Sequence, residues 1–186
     1  DVTTMIGEVG SKVAYGNGFR AIEMPYGQTN FTMVVIVPDE TLSSIYPSFT
    51  YQAWNQLTSD LDASPEFGNT IVFMPKFKFS YEKLLNDQLK SMGMVDAFSE
   101  FGADLSGISD MQIFVSFVKQ NTFVEGDEEG TEAAAVTTIG VGTTSAGDPQ
   151  PYQFIIDKSF IFAIRERTTN TLLFIGQVIN PKEEEE

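Results

Sequence analysis

Two residue types are absent from this sequence of 186 residues: it has no cysteine and no histidine. Without cysteine there can be no disulfide, no thiol nucleophile and no thiolate ligand for zinc. Without histidine the chain cannot form a Ser-His-Asp or Cys-His catalytic group, and zinc loses its commonest nitrogen ligand. An enzyme would therefore have to work with carboxylates, lysine or tyrosine. These absences exclude most hydrolase chemistry.

Basic residues are scarce. Eleven Lys and Arg stand against 26 Asp and Glu, so the formal net charge is −15. This charge argues against nucleic acids and anionic membrane surfaces as partners. No apolar run approaches the ~18 residues of a membrane span, and the first residues lack the pattern of a signal peptide. Part of the acidity is local, since residues 182–186 are interpreted as a solvated acidic tail.

Strand signals dominate the rest of the sequence. Apolar runs on either side of Gly27-Gln28-Thr29 predict a hairpin that ends at Pro38. Residues 168–170 separate two similar runs and predict a second hairpin. Further along, the alternation of residues 76–79 predicts a half-buried strand with Phe77 and Phe79 on one face and the lysines on the other. Residues 111–125 form a long β-rich stretch.

Helix signals are fewer. Residues 41–62 predict one or two short helices, with Thr50 as an N-cap and Trp54, Leu57 and Leu61 on one face. The segment from Tyr81 also starts as a helix, which Gly93 is expected to end. Short helices among many strands indicate a β-rich α+β fold.

Residues 125–146 have an unusual composition. Five of the first eight residues are acidic, and the following ones are small or β-branched with no aromatic side chain. A helix capped by Thr131 and built on Ala133–Ala135 is one interpretation, and an acidic flexible linker is another. A third is an exposed loop that can also become a buried strand, because Thr131, Ala133, Ala135 and Thr137 would share one face and are all small.

Several segments, taken in order, resemble the serpins, the family of serine protease inhibitors. They are IEMPYG, MVVIVP, MPKFKFSY, LKSMGMVDAFSEFGADLSGIS, FVEGDEEGTEAAAVT and FIIDKSFIFAIRERTTNTLLFIGQVINP. The resemblance covers essentially the whole chain. Within it, EEGTEAAAVT is similar to the hinge of the serpin reactive-centre loop.

The resemblance implies a partial serpin fold: the C-terminal half of one domain, with several β-sheets and a few helices. It assigns residues 1–129 to sheet strands and short helices, 130–151 to the hinge and reactive-centre loop, 152–181 to the C-terminal strands and 182–186 to the tail. We expect the N-terminal half, as a separate chain or a missing segment, to complete the fold. An extracellular location is also expected.

The resemblance further implies a protein that is not an enzyme, with no cofactor and no metal. It would inhibit by a suicide-substrate mechanism. A target serine protease would attack the exposed loop, form an acyl-enzyme and be trapped when the loop inserts as a strand into the main sheet. The hinge would comprise Glu128, Glu129, Gly130, Thr131, Glu132, Ala133, Ala134 and Ala135. Gln120 would occupy the sheet-opening region, at a position where many serpins carry histidine.

Family spacing counted from Gly130 places the reactive bond at Thr144-Ser145. Counting back from FIIDKSF moves it later, up to Asp148. The candidates from Thr143 to Gly147 are small and uncharged, which suits elastase-like or subtilisin-like proteases and argues against trypsin-like ones.

Three alternatives differ in what they need. A non-inhibitory serpin, acting as a carrier, chaperone or storage protein, would keep the fold and be cut without trapping a protease. A carboxylate hydrolase would use Asp104 with Asp96 or Glu100. A plain β-rich adhesion module would not need the hinge composition.

Overall fold

The computed structural model describes residues 3–126 and 151–180. The chain divides into two compact units: the first comprises residues up to Phe77 and from Glu125 onward, and the second is Lys78–Val124. No helix among the described residues has the length and apolar character needed to cross a membrane.

Strands make up most of the described structure. In chain order they are β1 Thr4–Gly16, β2 Phe19–Tyr26, β3 Phe31–Pro38, β4 Phe67–Pro75, β5 Phe77–Leu84, β6 Lys119–Gly126, β7 Tyr152–Ile155, β8 Phe160–Glu166 and β9 Thr171–Val178. The helices are α1 Leu42–Ile45, α2 Tyr51–Ala63 and α3 Asn86–Ser91, with 3-10 turns at Tyr46–Ser48 and Asp96–Phe98. The expected β-rich α+β composition is confirmed.

The first unit is organised around a seven-stranded sheet with the order β7-β4-β1-β2-β3-β8-β9. Both predicted hairpins are present. The β2–β3 turn places Gly27 and Thr29 at positive φ, and the β8–β9 turn does the same for Asn170. In each case a left-handed residue lets the chain reverse within a few positions.

Helix α2 covers one face of this sheet. Thr50 caps it as predicted, since its side-chain oxygen accepts a hydrogen bond from the Ala53 amide at 3.3 Å. Trp54, Leu57 and Leu61 are buried. They share a cluster with apolar side chains of the sheet, and the members from β1, β2, β3 and β8 are Ala14, Ala21, Val34, Ile36, Ile161 and Ala163.

Two predictions about the second unit need correction. The helix does not start at Tyr81, because β5 continues to Leu84 and α3 begins only at Asn86. Gly93 does follow its end, with φ of 101°. The stretch 111–125 is a strand only from Lys119, and residues 112–118 form neither helix nor strand.

The physical reason for the second correction lies in backbone hydrogen bonds. The Asn86 side chain accepts from the Val118 amide at 2.9 Å and donates to the Ser116 carbonyl at 3.1 Å. The Val118 carbonyl accepts from the Leu85 amide at 2.8 Å. These groups are satisfied without a neighbouring strand, so apolar alternation alone does not produce a ladder here.

Candidate functional site

The candidate site is the chain segment that joins β6 to β7. Its predicted functional residues, the hinge 128–135 and the reactive bond Thr144-Ser145 with its later limit Asp148, lie outside the described residues. The structure describes the two strands that hold this segment, β6 before it and β7 after it. Their attachment is therefore the geometry that bears on function.

Strand β6 belongs to a two-stranded sheet with β5. Among the described residues, β5 is its only strand neighbour. Its side chains are mostly exposed, with half-buried positions at Thr122, Val124 and Gly126. Lys119 pairs with Glu82 at 2.7 Å, and the Lys78 ammonium lies 5.7 Å from the centre of the Phe123 ring. A strand with one edge available for hydrogen bonding can accept a further strand.

Gln120 is exposed near the beginning of β6. Its amide nitrogen donates to the Thr122 hydroxyl at 3.2 Å. The amide can bond to neighbouring strands but carries no titrating proton near neutral pH.

The end of β6 rests on an aromatic cluster. Gly126 approaches the ring of Phe77 so closely that a β-carbon would lie 2.6 Å from ring atom Cε1. Phe77 is buried and packs on Phe160 and Phe162 of β8, with ring centres 5.8 and 5.4 Å away. The alternation of residues 76–79 predicts that Phe77 and Phe79 share one face of a half-buried strand, but it does not predict the contact with Gly126. The signal in the sequence was a glycine just before the predicted hinge, since a glycine in a strand often marks the close approach of another group.

Strand β7 lies at the edge of the seven-stranded sheet. It pairs in parallel with β4, from Thr70 opposite Tyr152 to Phe73 opposite Ile155. The Ile156 amide extends the attachment by donating to the Phe73 carbonyl at 2.8 Å. Because this ladder is short, side chains must contribute to the attachment.

Those side chains converge on Tyr152. Its ring stacks on Phe67 with centres 5.4 Å apart, and its hydroxyl lies 2.8 Å from the Tyr15 hydroxyl. Burial raises the pKa of Tyr152 to about 12, and the Tyr15 hydrogen bond acts in the same direction. Arg20 completes the attachment, since its guanidinium donates to the Ile155 carbonyl at 2.7 Å and lies 5.4 Å from the Phe154 ring centre.

A buried ionic network, not predicted from the sequence, lies between β8, β2 and α2. Arg165 of β8 is fully buried and contacts Glu23 of β2 at 2.5 Å and Asp62 of α2 at 2.7 Å. Burial opposes the charge of Arg165, but its hydrogen bonds to Asp62 and Glu23 outweigh this effect and raise its pKa. An arginine inside the apolar run FIFAIR was the signal for a buried ion pair.

The residues proposed for a carboxylate hydrolase, Asp96, Glu100 and Asp104, are all exposed. The Asp104 carboxylate accepts hydrogen bonds from the Ser106 hydroxyl at 2.7 Å and the Ser106 amide at 3.2 Å. These bonds lower its pKa, which argues against Asp104 as the acid of such a pair, since that carboxyl needs a raised pKa. In the described part of the chain, no group of three or more acidic side chains is arranged to hold a metal ion.

Comparison with known proteins gives a consistent result. Residues 1–181 match the serpin (serine protease inhibitor) family. The chain is 37% identical over 173 residues to an uncharacterized serpin-like protein of Methanosarcina mazei, covering 90% of this chain and 39% of that protein. It is 39% identical over 164 residues to a serine protease inhibitor of Cyanea capillata, covering 86% of this chain and 42% of that protein.

A solved structure supports the same family assignment. The thermophilic serpin Tengpin in its native state superposes with a TM-score of 0.73 at 31% identity, over 96% of this chain and 46% of that one. The chain thus spans less than half the length of these three proteins. Because the family match extends from residue 1 to residue 181 and the sheet topology superposes on a solved serpin, this chain belongs to the serpin family.

Proposed function

We propose that the protein inhibits serine proteases as a suicide substrate. One observation carries the proposal: the segment 127–150, whose residues 133–135 are all alanine, joins β6 to the edge strand β7. Since β5 is the only strand paired with β6 among the described residues, β6 has an edge beside which such a segment can insert. Serpin loop insertion is itself a standard example of strand addition.

The chemistry is supplied by the protease. Its serine oxygen attacks the carbonyl carbon of the reactive bond, at Thr144-Ser145 or as late as Asp148. The peptide C–N bond breaks, the new amino terminus takes the proton, and the carbonyl stays on the serine as an ester. Water would normally hydrolyse this ester. Insertion of the freed loop carries the protease away and distorts its active site first.

The hinge residues determine whether insertion can begin. Glu128, Glu129, Gly130 and Thr131 would be the hinge where insertion starts, and Thr131 would be the first side chain to enter the sheet. Glu132 would point outward, and Ala133, Ala134 and Ala135 would follow. Small side chains enter a packed sheet without displacing their neighbours, whereas a charge at the inward position would resist burial.

The partners follow from the same proposal. The target is a serine protease with a shallow pocket, elastase-like or subtilisin-like, held as a covalent acyl-enzyme. The N-terminal half of the serpin domain is the second partner. Leu172, Leu173, Phe174 and Ile175 of β9 are 40–54% exposed in this chain, an apolar surface that needs covering. We also propose that the protein is extracellular. Fractionation of the source culture into cells and medium tests this location.

The test uses the complete inhibitor, this chain together with its N-terminal half. It is incubated with elastase-like, subtilisin-like and trypsin-like proteases, and the products are separated on a denaturing gel. A complex that resists denaturation, together with a released peptide beginning at Ser145 or up to four residues later, is the expected result. Cleavage without a complex, by a protease that stays active, would instead support a non-inhibitory serpin that acts as carrier, chaperone or storage protein.

A further inference from the structure

Gly126, the last residue of β6, has no room for a side chain. A β-carbon at this position would lie 2.6 Å from Cε1, 2.8 Å from Cζ and 3.1 Å from Cδ1 of Phe77. Real β-carbons do not approach other atoms so closely. The aromatic ring therefore occupies the volume that any other residue at position 126 would need.

The Phe77 ring is poorly able to give way. It is 3% exposed and packs between Gly126 and the rings of Phe160 and Phe162. Phe162 is enclosed in turn, because a β-carbon on Gly176 of β9 would lie 2.6 Å from its Cε1 and Cζ atoms. A glycine thus closes each end of this aromatic cluster, and closely packed interiors resist added volume.

We infer that Gly126 and Phe77 are a positioning pair that fixes the point from which the reactive-centre loop begins to insert. This inference rests on the proposed function. Gly126 immediately precedes the segment that contains the proposed hinge, and insertion is proposed to occur beside β6. Because the Phe77 ring packs on β8 and fills the space beside Gly126, the end of β6 is held in one position.

A methyl group at position 126 must displace either the ring or the end of the strand. The ring is enclosed on several sides, whereas Gly126 is a half-buried strand end. The strand end is therefore expected to move, and the loop would then begin to insert from a displaced position. Attack on the reactive bond takes place at the protease and does not depend on this contact. Gly126→Ala should therefore slow insertion and leave acylation unchanged.

The experiment measures both steps in the complete inhibitor. The rate of acyl-enzyme formation should equal that of the wild type, since the earliest candidate for the reactive bond, Thr144-Ser145, lies far along the chain from Gly126. The stoichiometry of inhibition, the moles of inhibitor consumed for each mole of protease trapped, should rise several-fold. Gly68→Ala is the matched control, because Gly68 is a strand glycine in β4 with no atom within 4 Å of a β-carbon.

Two further variants separate positioning from general destabilisation. Gly176→Ala strains the same cluster from its other end and should lower the thermal midpoint while leaving the stoichiometry unchanged. Phe77→Leu combined with Gly126→Ala gives room for the methyl group and should restore the stoichiometry to that of Phe77→Leu alone. A wild-type stoichiometry in Gly126→Ala would overturn the inference. An equal increase in Gly176→Ala, or no rescue by Phe77→Leu, would do the same.

Failure of the proposed function can be distinguished from failure of the positioning pair. If the wild type forms no complex with any protease, inhibition is wrong. The pair is then tested by cutting the loop with catalytic protease and following the rise of the thermal midpoint as the cut strand inserts. A slower rise in Gly126→Ala than in Gly68→Ala would still support the positioning pair, and equal rates would exclude it.

Discussion

Arg165 and Glu23 form a buried ion pair that links β8 to β2 across the intervening strand β3. Both the Nε and Nη2 groups of Arg165 donate to Oε2 of Glu23, at 3.2 and 2.5 Å, and the two side chains are 0% and 2% exposed. Nη2 also reaches Asp62 of α2, and Nη1 donates to the Asn170 side chain at 3.0 Å. Arg167 lies 3.3 Å from Glu23, so the positive charges of two arginines face the negative charges of Glu23 and Asp62. The network thus joins the sheet, the helix and the β8–β9 turn.

Replacing Arg165 by methionine should strongly destabilise the protein. Glu23 would remain buried with its charge only partly compensated by Arg167, and breaking a buried pair from one side costs about 3–5 kcal/mol of unfolding free energy. Replacing both partners, Glu23→Leu with Arg165→Met, should recover most of the loss because no buried charge is left. Urea unfolding followed by circular dichroism measures these differences.

Lys119→Met is the control for that prediction. Lys119 and Glu82 form an ion pair of similar length, 2.7 Å, but their side chains are 38% and 65% exposed. Exposed pairs contribute about 1 kcal/mol or less. If Arg165→Met cost no more than Lys119→Met, the buried network would have no special role in stability.

Local patterns explain why much of the first unit could be predicted. The two hairpins, the N-cap at Thr50 and the buried face of α2 each follow from residues close together in sequence. The second unit was predicted less well, because Asn86 satisfies backbone groups from Ser116 and Val118 that alternation would assign to a strand. That contact joins residues far apart in sequence, and a periodicity argument cannot detect it.

The same limit applies to the candidate site. The hinge was assigned because a short local motif resembles that of the serpins, but its residues lie outside the described ones and stay predictions. The contacts that hold the flanking strands are long-range. Gly126 against Phe77 and Tyr15 against Tyr152 each join distant parts of the chain. The type of residue at these positions does not identify its partner, because only the fold brings the two members of each pair together.

Glu166 should make stability depend on acid pH. Its carboxylate accepts from the Thr169 hydroxyl at 2.6 Å and from the Thr168 and Thr169 amides at 2.9 and 2.8 Å. These bonds lower its pKa from 4.5 to about 2. The folded state therefore binds this proton less tightly than the unfolded state. The stability difference between wild type and Glu166→Gln should be fully present above pH 4.5 and disappear as the pH falls toward 2.

Thr169→Val tests the cause of that shift. It removes the hydroxyl that contributes most and leaves the two amides, so the pKa of Glu166 should rise toward 4.5 in a carboxyl-carbon NMR titration. Thr168→Val should produce a smaller rise, because its hydroxyl contributes least. Equal pKa values in all three proteins would show that the threonine hydroxyls do not hold the carboxylate.

Tyr152 should control how firmly β7 is attached. Tyr152→Phe keeps the stack on Phe67 but removes the hydroxyl bond to Tyr15, which should cost about 0.5–1.5 kcal/mol of local stability. Tyr152→Ala also removes the stack and should cost more. Hydrogen exchange at the Ile156 amide reports local opening, since that amide donates to Phe73. Tyr51→Phe, at a 75% exposed position on α2, should leave this exchange unchanged. Wild-type exchange in Tyr152→Ala would contradict the attachment.

On the proposed mechanism, Gln120 should make the opening of the sheet insensitive to pH. The glutamine side chain does not titrate, so the activation barrier for loop insertion should be constant between about pH 5 and 8. Gln120→His introduces a group with an ordinary pKa of about 6.5 and should create a transition near that pH. Insertion rates of the complete inhibitor, measured across this range, test both statements. A transition near 6.5 in the wild type would refute the prediction.

On the proposed mechanism, Thr131→Arg should convert the protein from an inhibitor into a substrate. If Thr131 is the first side chain to enter the sheet, a guanidinium there must be buried without a partner, and this cost stops insertion before the ester is hydrolysed. The protease should then cut the loop at the wild-type rate and leave no denaturant-resistant complex. Thr131→Ala stays small and should retain the complex. Glu132→Arg should retain it too, because successive residues of a strand face opposite sides.

If Glu132→Arg abolished the complex and Thr131→Arg preserved it, the hinge would be displaced by one residue, since a one-residue slip exchanges the two faces. If both variants formed complex like the wild type, insertion would not begin at this hinge.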